Sequence, residues 1–355
     1  MNFDDPNWVR HDLCIEPTEV SVVAIAKNEE LRLADFLRHH RAIGVSRFFI
    51  VDNNSTDGTA EILKAQPDVV YFPSSAPFRE NKVVWRKAVC DRYLDDRWIL
   101  ALDIDELFVY PGWPEKTLPR FIEECKREGA AAVFAPMVDM YSNRPLSDLD
   151  YQAGNSLIEV CPYFDSDGYR LAERKGTDLL DFPLPKHVVQ GGPRERVFRS
   201  EADPHISLFW RMALRHYFGL KQGPTGPFKR KVKRRLWQRL KYILPTRRPT
   251  MSKIPLLKWD RGMDMDVGQH LLAKDVTLAS AWGTVLHFKY LQDFQEKSAE
   301  AAQSGQYFGK SVHYQHYTNI LNKNPDINFI CSHSTEFSGM PSLLKAGLAR
   351  EFCVR

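Results

Sequence analysis

The 355-residue sequence has no uninterrupted apolar run approaching the roughly 18–20 residues that a membrane-spanning helix requires. Its opening, MNFDDPNWVRHDLCIEP, is acidic and polar where a secretory leader is basic and then apolar, so a cytoplasmic protein is expected. The cysteines at 14, 90, 125, 161, 331 and 353 form no CxxC pair and no Cys/His spacing suited to zinc. Cys90 and Cys125 lie in apolar-periodic segments and read as small core residues rather than a disulfide framework. No repeat or low-complexity tract is present. A further absence is local: between Pro204 and Trp259 stand 15 of the 49 Lys/Arg and none of the 45 Asp/Glu. The net charge of +4 therefore averages a basic segment with an acidic remainder.

What is present in the first 140 residues is alternation. VSVVAIA (20–26) is a β-branched run of the kind buried on both faces of a sheet. Asn28 is placed to cap the helix that follows, with Leu33, Leu37 and Ile43 on its inward stripe. Strand-like RFFIVD (47–52), helical GTAEILKA (58–65), strand-like VVYF (69–72), helical NKVVWRKAVCDRYL (81–94) and strand-like RWILALD (97–103) succeed one another. A helix over 115–128 and the strand AAAVFAP (130–136) complete the series, and short strands are expected around 157–161 and 195–199. Strands alternating with single helices predict a doubly wound, mostly parallel α/β sheet, which binds ligands beyond the carboxyl ends of its strands. Three polar clusters fall at those ends: Lys27-Asn28-Glu29, Asp52-Asn53-Asn54-Ser55-Thr56-Asp57 and Asp103-Ile104-Asp105-Glu106.

Alternate residues of a strand point to opposite faces, so Asp103 and Asp105 converge only if the chain turns at that place. A turn there gives two hard oxygen ligands suited to Mg²⁺ or Mn²⁺, able to neutralise a leaving diphosphate. The run VDNNSTDGT (51–59) reads either as a tight turn satisfying its own backbone or as a place where Asp52 and Asp57 accept from a base or ribose.

Taken together, VSVVAIAKNEELRLADFLRHHRAIGVSRFFIVDNNSTDGT, NK and WILALDIDELF resemble the glycosyltransferase family 2-like enzymes of the GT-A fold, and most of all a bacterial branch with KNE, DN.StDGT and DiDEf motifs. The likeness is close over about 18–145 and looser over HFKYLQDFQEKSAEAAQSGQYFGKSVHYQHY (287–317). The resemblance implies a nucleotide-sugar donor, usually a UDP-sugar, inversion at the anomeric carbon, and a Mn²⁺ or Mg²⁺ cofactor. It places Asn28, Glu29, Asp52, Asp57, Lys82 and Asp103 at the donor, and Asp103, Asp105 and His287 at the metal.

The second half is less explicit. An inverting transfer needs a base for the acceptor hydroxyl, and no ED motif of the family 2 kind occurs between 180 and 290. Asp266 and His270 are the candidates carried forward, with Asp264 and Glu195 also considered. In RKVKRRLWQRLKYIL (230–244) apolar residues share one helical face ringed by Lys/Arg, which fits an anionic membrane surface better than nucleic acid. The expected organisation is a nucleotide-sugar-binding core over 18–203, a basic aromatic segment over 204–259, a part completing the site over 260–335 and a tail over 336–355. The function expected is transfer of a sugar to a glycolipid, polysaccharide or other glycan, in the cytoplasm or peripherally on the inner face of the cell membrane. A nucleotidyltransferase is the second enzymatic reading, against which KNEELR lacks the glycine of a phosphate loop after the first strand. A non-catalytic basic adaptor on the same fold is the third.

Overall fold

A computed structural model describes residue 16 and residues 18–174, 182–198, 250–265, 270–306 and 311–353. The first part runs β1 (Ser21–Ala26), α1 (Glu30–Ala42), β2 (Arg47–Asp52), α2 (Thr59–Lys64), β3 (Val69–Pro73), α3 (Phe78–Tyr93), β4 (Trp98–Ala101), β5 (Glu106–Val109), α4 (Leu118–Arg127) and β6 (Ala132–Asp139). There follow α5 (Leu157–Val160), β7 (Tyr163–Asp165), β8 (Arg170–Glu173), β9 (His187–Gln190) and α6 (Pro193–Arg196). The last part supplies β10 (Ser252–Lys258), β11 (Thr284–His287), α7 (Phe294–Ser304), α8 (Val312–Lys323), β12 (Ser334–Glu336) and α9 (Met340–Lys345).

The eight-stranded sheet has the order β3-β2-β1-β4-β10-β6-β11-β5. β3, β2, β1, β4, β6 and β11 run one way, while β10 and β5 are antiparallel to their neighbours. The expected doubly wound, mostly parallel α/β class is what the chain adopts. β1 is buried along its whole length, the burial its continuous apolar run requires. α1 covers one face of the sheet through Leu33, Phe36 and Leu37, and α3 covers the other through Trp85 and Val89. In α4, Leu118, Phe121, Ile122 and Cys125 recur at helical spacing and are all buried, with proline in the first turn where no N–H is needed. Each such large side chain contributes on the order of 1.5–3 kcal/mol on leaving water.

Three local expectations are corrected. Asn28 does not cap α1: the residue before the helix is Glu29, and Asn28 adopts a left-handed conformation (φ 54°) that frees its amide for another loop. Residues 157–160 and 193–196 form single helical turns, α5 and α6, where strands were expected; Ser156 caps the first by accepting from the Glu159 N–H, and Pro193 opens the second. The last residues of the basic stretch form β10, a buried central strand between β4 and β6. Its preceding residues, 204–249, and the amphipathic run 230–244 lie outside the described residues. α9 also packs on the main core through Met340 and Leu343, with the Thr284 hydroxyl donating to the Leu348 carbonyl. Among the described residues no helix is long and apolar enough to cross a membrane.

Candidate active site

Two loops at the carboxyl ends of β1 and β2 are joined to each other. The Asn28 N–H donates to Ser55 Oγ (2.9 Å), the Glu29 N–H to Thr59 Oγ1 (2.8 Å) and the Thr56 N–H to Asn28 Oδ1 (2.8 Å). Asp57 accepts from the N–H groups of Glu30 and Thr59, serving the open starts of α1 and α2. Asp52 accepts from Ser55 and, at 2.9 Å, from the buried Tyr71 hydroxyl. Burial and the neighbouring Asp52 then push the Tyr71 phenol well above its ordinary pKa. The two motifs are thus one built corner. It meets the adjacent cavity through Asn53 and Asn54, whereas the sequence pointed to Asp52 and Asp57.

The chain turns between β4 and β5, where the Glu106 N–H returns to the Asp103 carbonyl at 3.1 Å. That turn is the one two converging carboxylates demanded. Asp103 is held by Arg86 of α3 at 2.5 Å and lies 3.5 Å from Lys253 of β10. Burial opposes its ionisation, yet Lys253 and Arg86 keep its carboxyl well below the usual range. Glu106 is buried against Lys253, and both side chains are 1% exposed. Lys253 stays charged despite its burial because Glu106 and Asp103 face it.

The second half brings His287, at the end of β11, to this turn. His287 Nε2 lies 3.1 Å from Asp105 Oδ2, and its Nδ1 lies 2.7 Å from Asp139 Oδ1 at the end of β6. Burial disfavours the charged ring, but the two carboxylates outweigh it and raise the His287 pKa to about 9. Asp105 is in turn held well below the carboxylate range, burial notwithstanding, chiefly by His287. The next residue is fixed by its backbone: the Phe288 N–H donates to the Asp105 carbonyl (2.7 Å), and Arg32 Nε donates to the Phe288 carbonyl (3.0 Å). Arg32, buried in α1, also grips Asp293 with both terminal nitrogens, at 2.6 and 2.7 Å. First and second halves are thereby clamped on either side of His287.

Arg194 completes the group, reaching Asp139 Oδ1 at 2.8 Å. It is delivered by the glycine turn Gly191-Gly192 that precedes α6. At Gly192 (φ 74°) a Cβ would stand 2.5 Å from the Tyr169 hydroxyl, so the close packing of Tyr169 requires glycine. That hydroxyl accepts from the Asp139 N–H at 3.1 Å, which ties the glycine turn to the same carboxylate.

Lys82, Asp103, Asp105, Glu106, Arg194, Lys253, His270, His287 and Lys289 line one crevice, which continues through Glu29 and Asp105 into a cavity walled by Asn28, Asn53, Asn54 and α7. The structure therefore brings Asn28, Glu29, Lys82, Asp103, Asp105, His270 and His287 together. Lys82 also sits 4.9 Å from the Phe78 ring centroid. His270 Nδ1 lies 2.7 Å from the Ser252 carbonyl, so this nitrogen carries the proton. Burial, and then Lys253, lower the His270 pKa to about 3. Asp264 pairs with Lys87 and Glu195 with Arg170, neither lining the crevice; Asp266 lies outside the described residues. Asp139, Arg86, Arg194, Lys253 and Lys289 were missed, and Glu106 was read only as a member of the acidic cluster, with no role of its own. A charge ending the wholly buried β6, or interrupting the buried β10, was the available signal for Asp139 and Lys253.

One oxygen or nitrogen each from Asp105, Glu106 and His287 lies within 4.8 Å of the others, a donor set suited to a divalent ion. The Asp139 carboxylate behind His287 Nδ1 supplies the outer hydrogen bond that a metal-ligating histidine ordinarily has.

Fold and crevice define a doubly wound α/β protein with a metal-capable acidic turn at the carboxyl ends of its strands. Residues 21–176 match the sequence model of glycosyl transferase family 2. A glycosyltransferase family 92 protein of Oryza sativa subsp. japonica is 29% identical over 111 residues, covering 30% of this chain and 18% of that protein. One from Arabidopsis thaliana is 27% identical over 114 residues, covering 31% of this chain and 19% of its own length. The matches thus span under a fifth of those curated relatives. Among solved structures, a 4-diphosphocytidyl-2C-methyl-D-erythritol synthase aligns with a TM-score of 0.27 at 15% identity, over 36% of this chain and 64% of that one. A UDP-glucose pyrophosphorylase complexed with UDP-glucose aligns with a TM-score of 0.23 at 9% identity, over 44% and 63%.

Proposed function

We propose that the protein is a metal-dependent, inverting glycosyltransferase that moves a sugar from a nucleotide-sugar, a UDP-sugar in the first instance, to a glycan or lipid-linked acceptor. The observation that carries this reading is the convergence of Asp105, Glu106 and His287 at the β4–β5 turn, inside the stretch that matches family 2. In this reading Asp103, Asp105 and His287 hold Mn²⁺ or Mg²⁺, with Glu106 beside them. Bound there, the ion neutralises charge gathering on the departing nucleoside diphosphate.

The protein's own groups do the rest. Asn28, Glu29, Asn53 and Asn54 face the donor cavity, where Asp52 and Asp57 hold the loops in shape. Arg86 and Lys253 keep Asp103 ionised and turned toward the crevice. Arg194 and Asp139 orient the His287 ring. An inverting attack needs a proton acceptor on the acceptor side; of the two candidates, Asp266 suits it better, because a histidine with a pKa near 3 is a weak base. A membrane-surface contact through the amphipathic run 230–244 would suit a lipid-linked acceptor. No glycine occurs in the first turn, Lys27–Glu29, which favours sugar transfer over nucleotidyl transfer.

A thermal-shift screen of UDP- and GDP-sugars with Mn²⁺ tests the donor. Stabilisation that requires both nucleotide-sugar and metal is expected, since ligand bound to the native state raises apparent stability. If no nucleotide-sugar shifts the transition with or without metal, the donor assignment is wrong.

A further inference from the structure

Four cations of the crevice and the adjoining cavity are paired within the protein: Arg86 with Asp103, Lys253 with Glu106, Arg194 with Asp139, and Lys297 with Glu29; Lys27, which also lines both spaces, is exposed to solvent. Lys289 differs. Its ammonium lies among aromatic rings, with Nζ 4.5 Å from the ring centroids of Tyr314 and Tyr317 and 5.3 Å from that of Phe294. Among the described residues no carboxylate, carbonyl or hydroxyl oxygen accepts from its ammonium. The ring faces offset part of the desolvation of the charge but take no directed hydrogen bond, so three donors stay available. The backbone that carries it is held in place, because Phe288 before it is fixed by Asp105 on one side and Arg32 on the other. Lys289 lines both the metal-capable crevice and the adjoining donor cavity, as Asp105 does. A ligand that completes this group must be anionic, must present oxygen acceptors, and must extend across both spaces.

We infer that Lys289 binds the diphosphate of the nucleotide-sugar, its ammonium donating to a phosphate oxygen in the space shared with Asp105. The nature of the anion rests on the glycosyl-transfer reading; the existence of an anion site at Lys289 does not. Tyr314 and Tyr317 are positioning residues in this scheme, holding the amine along the crevice rather than touching the anion.

The test uses the full chain and magnesium pyrophosphate in isothermal titration calorimetry. Lys289→Met keeps the apolar stem and removes the charge, and is expected to weaken pyrophosphate binding by about tenfold or more, the worth of a charge-assisted hydrogen bond. Lys289→Arg is expected to retain most of the affinity. A readout needing no variant is acetylation of the wild-type chain followed by peptide mass spectrometry, in which pyrophosphate should protect Lys289. Equal labelling with and without pyrophosphate, or equal affinity in Lys289→Met, overturns the assignment, as does failure of the wild type to bind pyrophosphate. Protection at Lys289 in a protein that transfers from no nucleotide-sugar would keep the anion site and refute the glycosyl-transfer reading. Transfer at unchanged KM in Lys289→Met would refute the lysine assignment alone.

Discussion

The two halves of the molecule contribute different chemistry to one crevice. Residues 21–139 supply the carboxylates Asp103, Asp105, Glu106 and Asp139, all in or at the ends of sheet strands or in the turn between two of them. Residues 194–287 supply most of the groups that answer them, Arg194, Lys253 and His287, with Arg86 on Asp103 the contribution from the first half. The first half forms its loops from its own neighbours, as the mutual bonding of Asn28 with Ser55 and Thr56 illustrates. The second half has no such local logic, since Lys253 lies 147 residues from Glu106 and His287 lies 148 from Asp139. The carboxylate side can thus be built locally, whereas the site exists only when both halves are in place.

Breaking the deepest contact between them should have the largest effect. Lys253→Met leaves Glu106 buried without its counter-charge and is expected to destabilise the fold by about 3–5 kcal/mol in chemical denaturation. Adding Glu106→Leu to that variant should recover much of the loss, and failure to recover would mean that Lys253 acts through something other than this pair. A subtler separation is Asp139→Asn, which removes the charge behind His287 Nδ1 at a site that is 0% exposed. Mn²⁺ affinity, followed by electron paramagnetic resonance of the free ion, should fall by about 10–100-fold. Unchanged affinity would show that His287 is not oriented toward a metal by the first half.

The smallest effect concerns the first half alone. His39 and His40 end α1, and burial lowers the His39 pKa to about 4 and that of His40 well below its usual value. Their native pKa values lie below the unfolded one, so the unfolded chain binds more protons as the pH falls. Their contribution is therefore complete above about pH 6.5 and is lost as the pH falls through that value toward 4. The melting temperature should drop across this window, and His39→Gln should flatten the drop; an identical slope would remove His39 from it.

The same asymmetry explains what could be read from the sequence. The β-branched run at 20–26, the helical stripe of α4 and the acidic turn at 103–106 each declare themselves within a few residues, because period, proline and strand ends are local signals. His287 was reached through the resemblance and not through a signal in its own neighbourhood. β10 was hidden in a stretch defined by its net charge, and nothing near Lys253 announces that Glu106 will neutralise it. Arg194 was hidden as well: GGPRER reads as a surface turn until Tyr169 and Asp139 pack against the glycines. The left-handed Asn28 shows the converse, where a residue suited to capping was used instead to join two loops.

The central claim is that the two halves meet to make a metal-dependent sugar-transfer site, and Asp105→Ala tests it most directly. This change leaves Asp139 and Arg194 around His287 and removes the carboxylate facing the crevice. Transfer or donor hydrolysis by the wild type with Mn²⁺ and its accepted nucleotide-sugar should fall by about 10³-fold or more in the variant, with the fold retained by circular dichroism. Turnover that survives in Asp105→Ala, or that proceeds equally in chelator and in Mn²⁺, would contradict it.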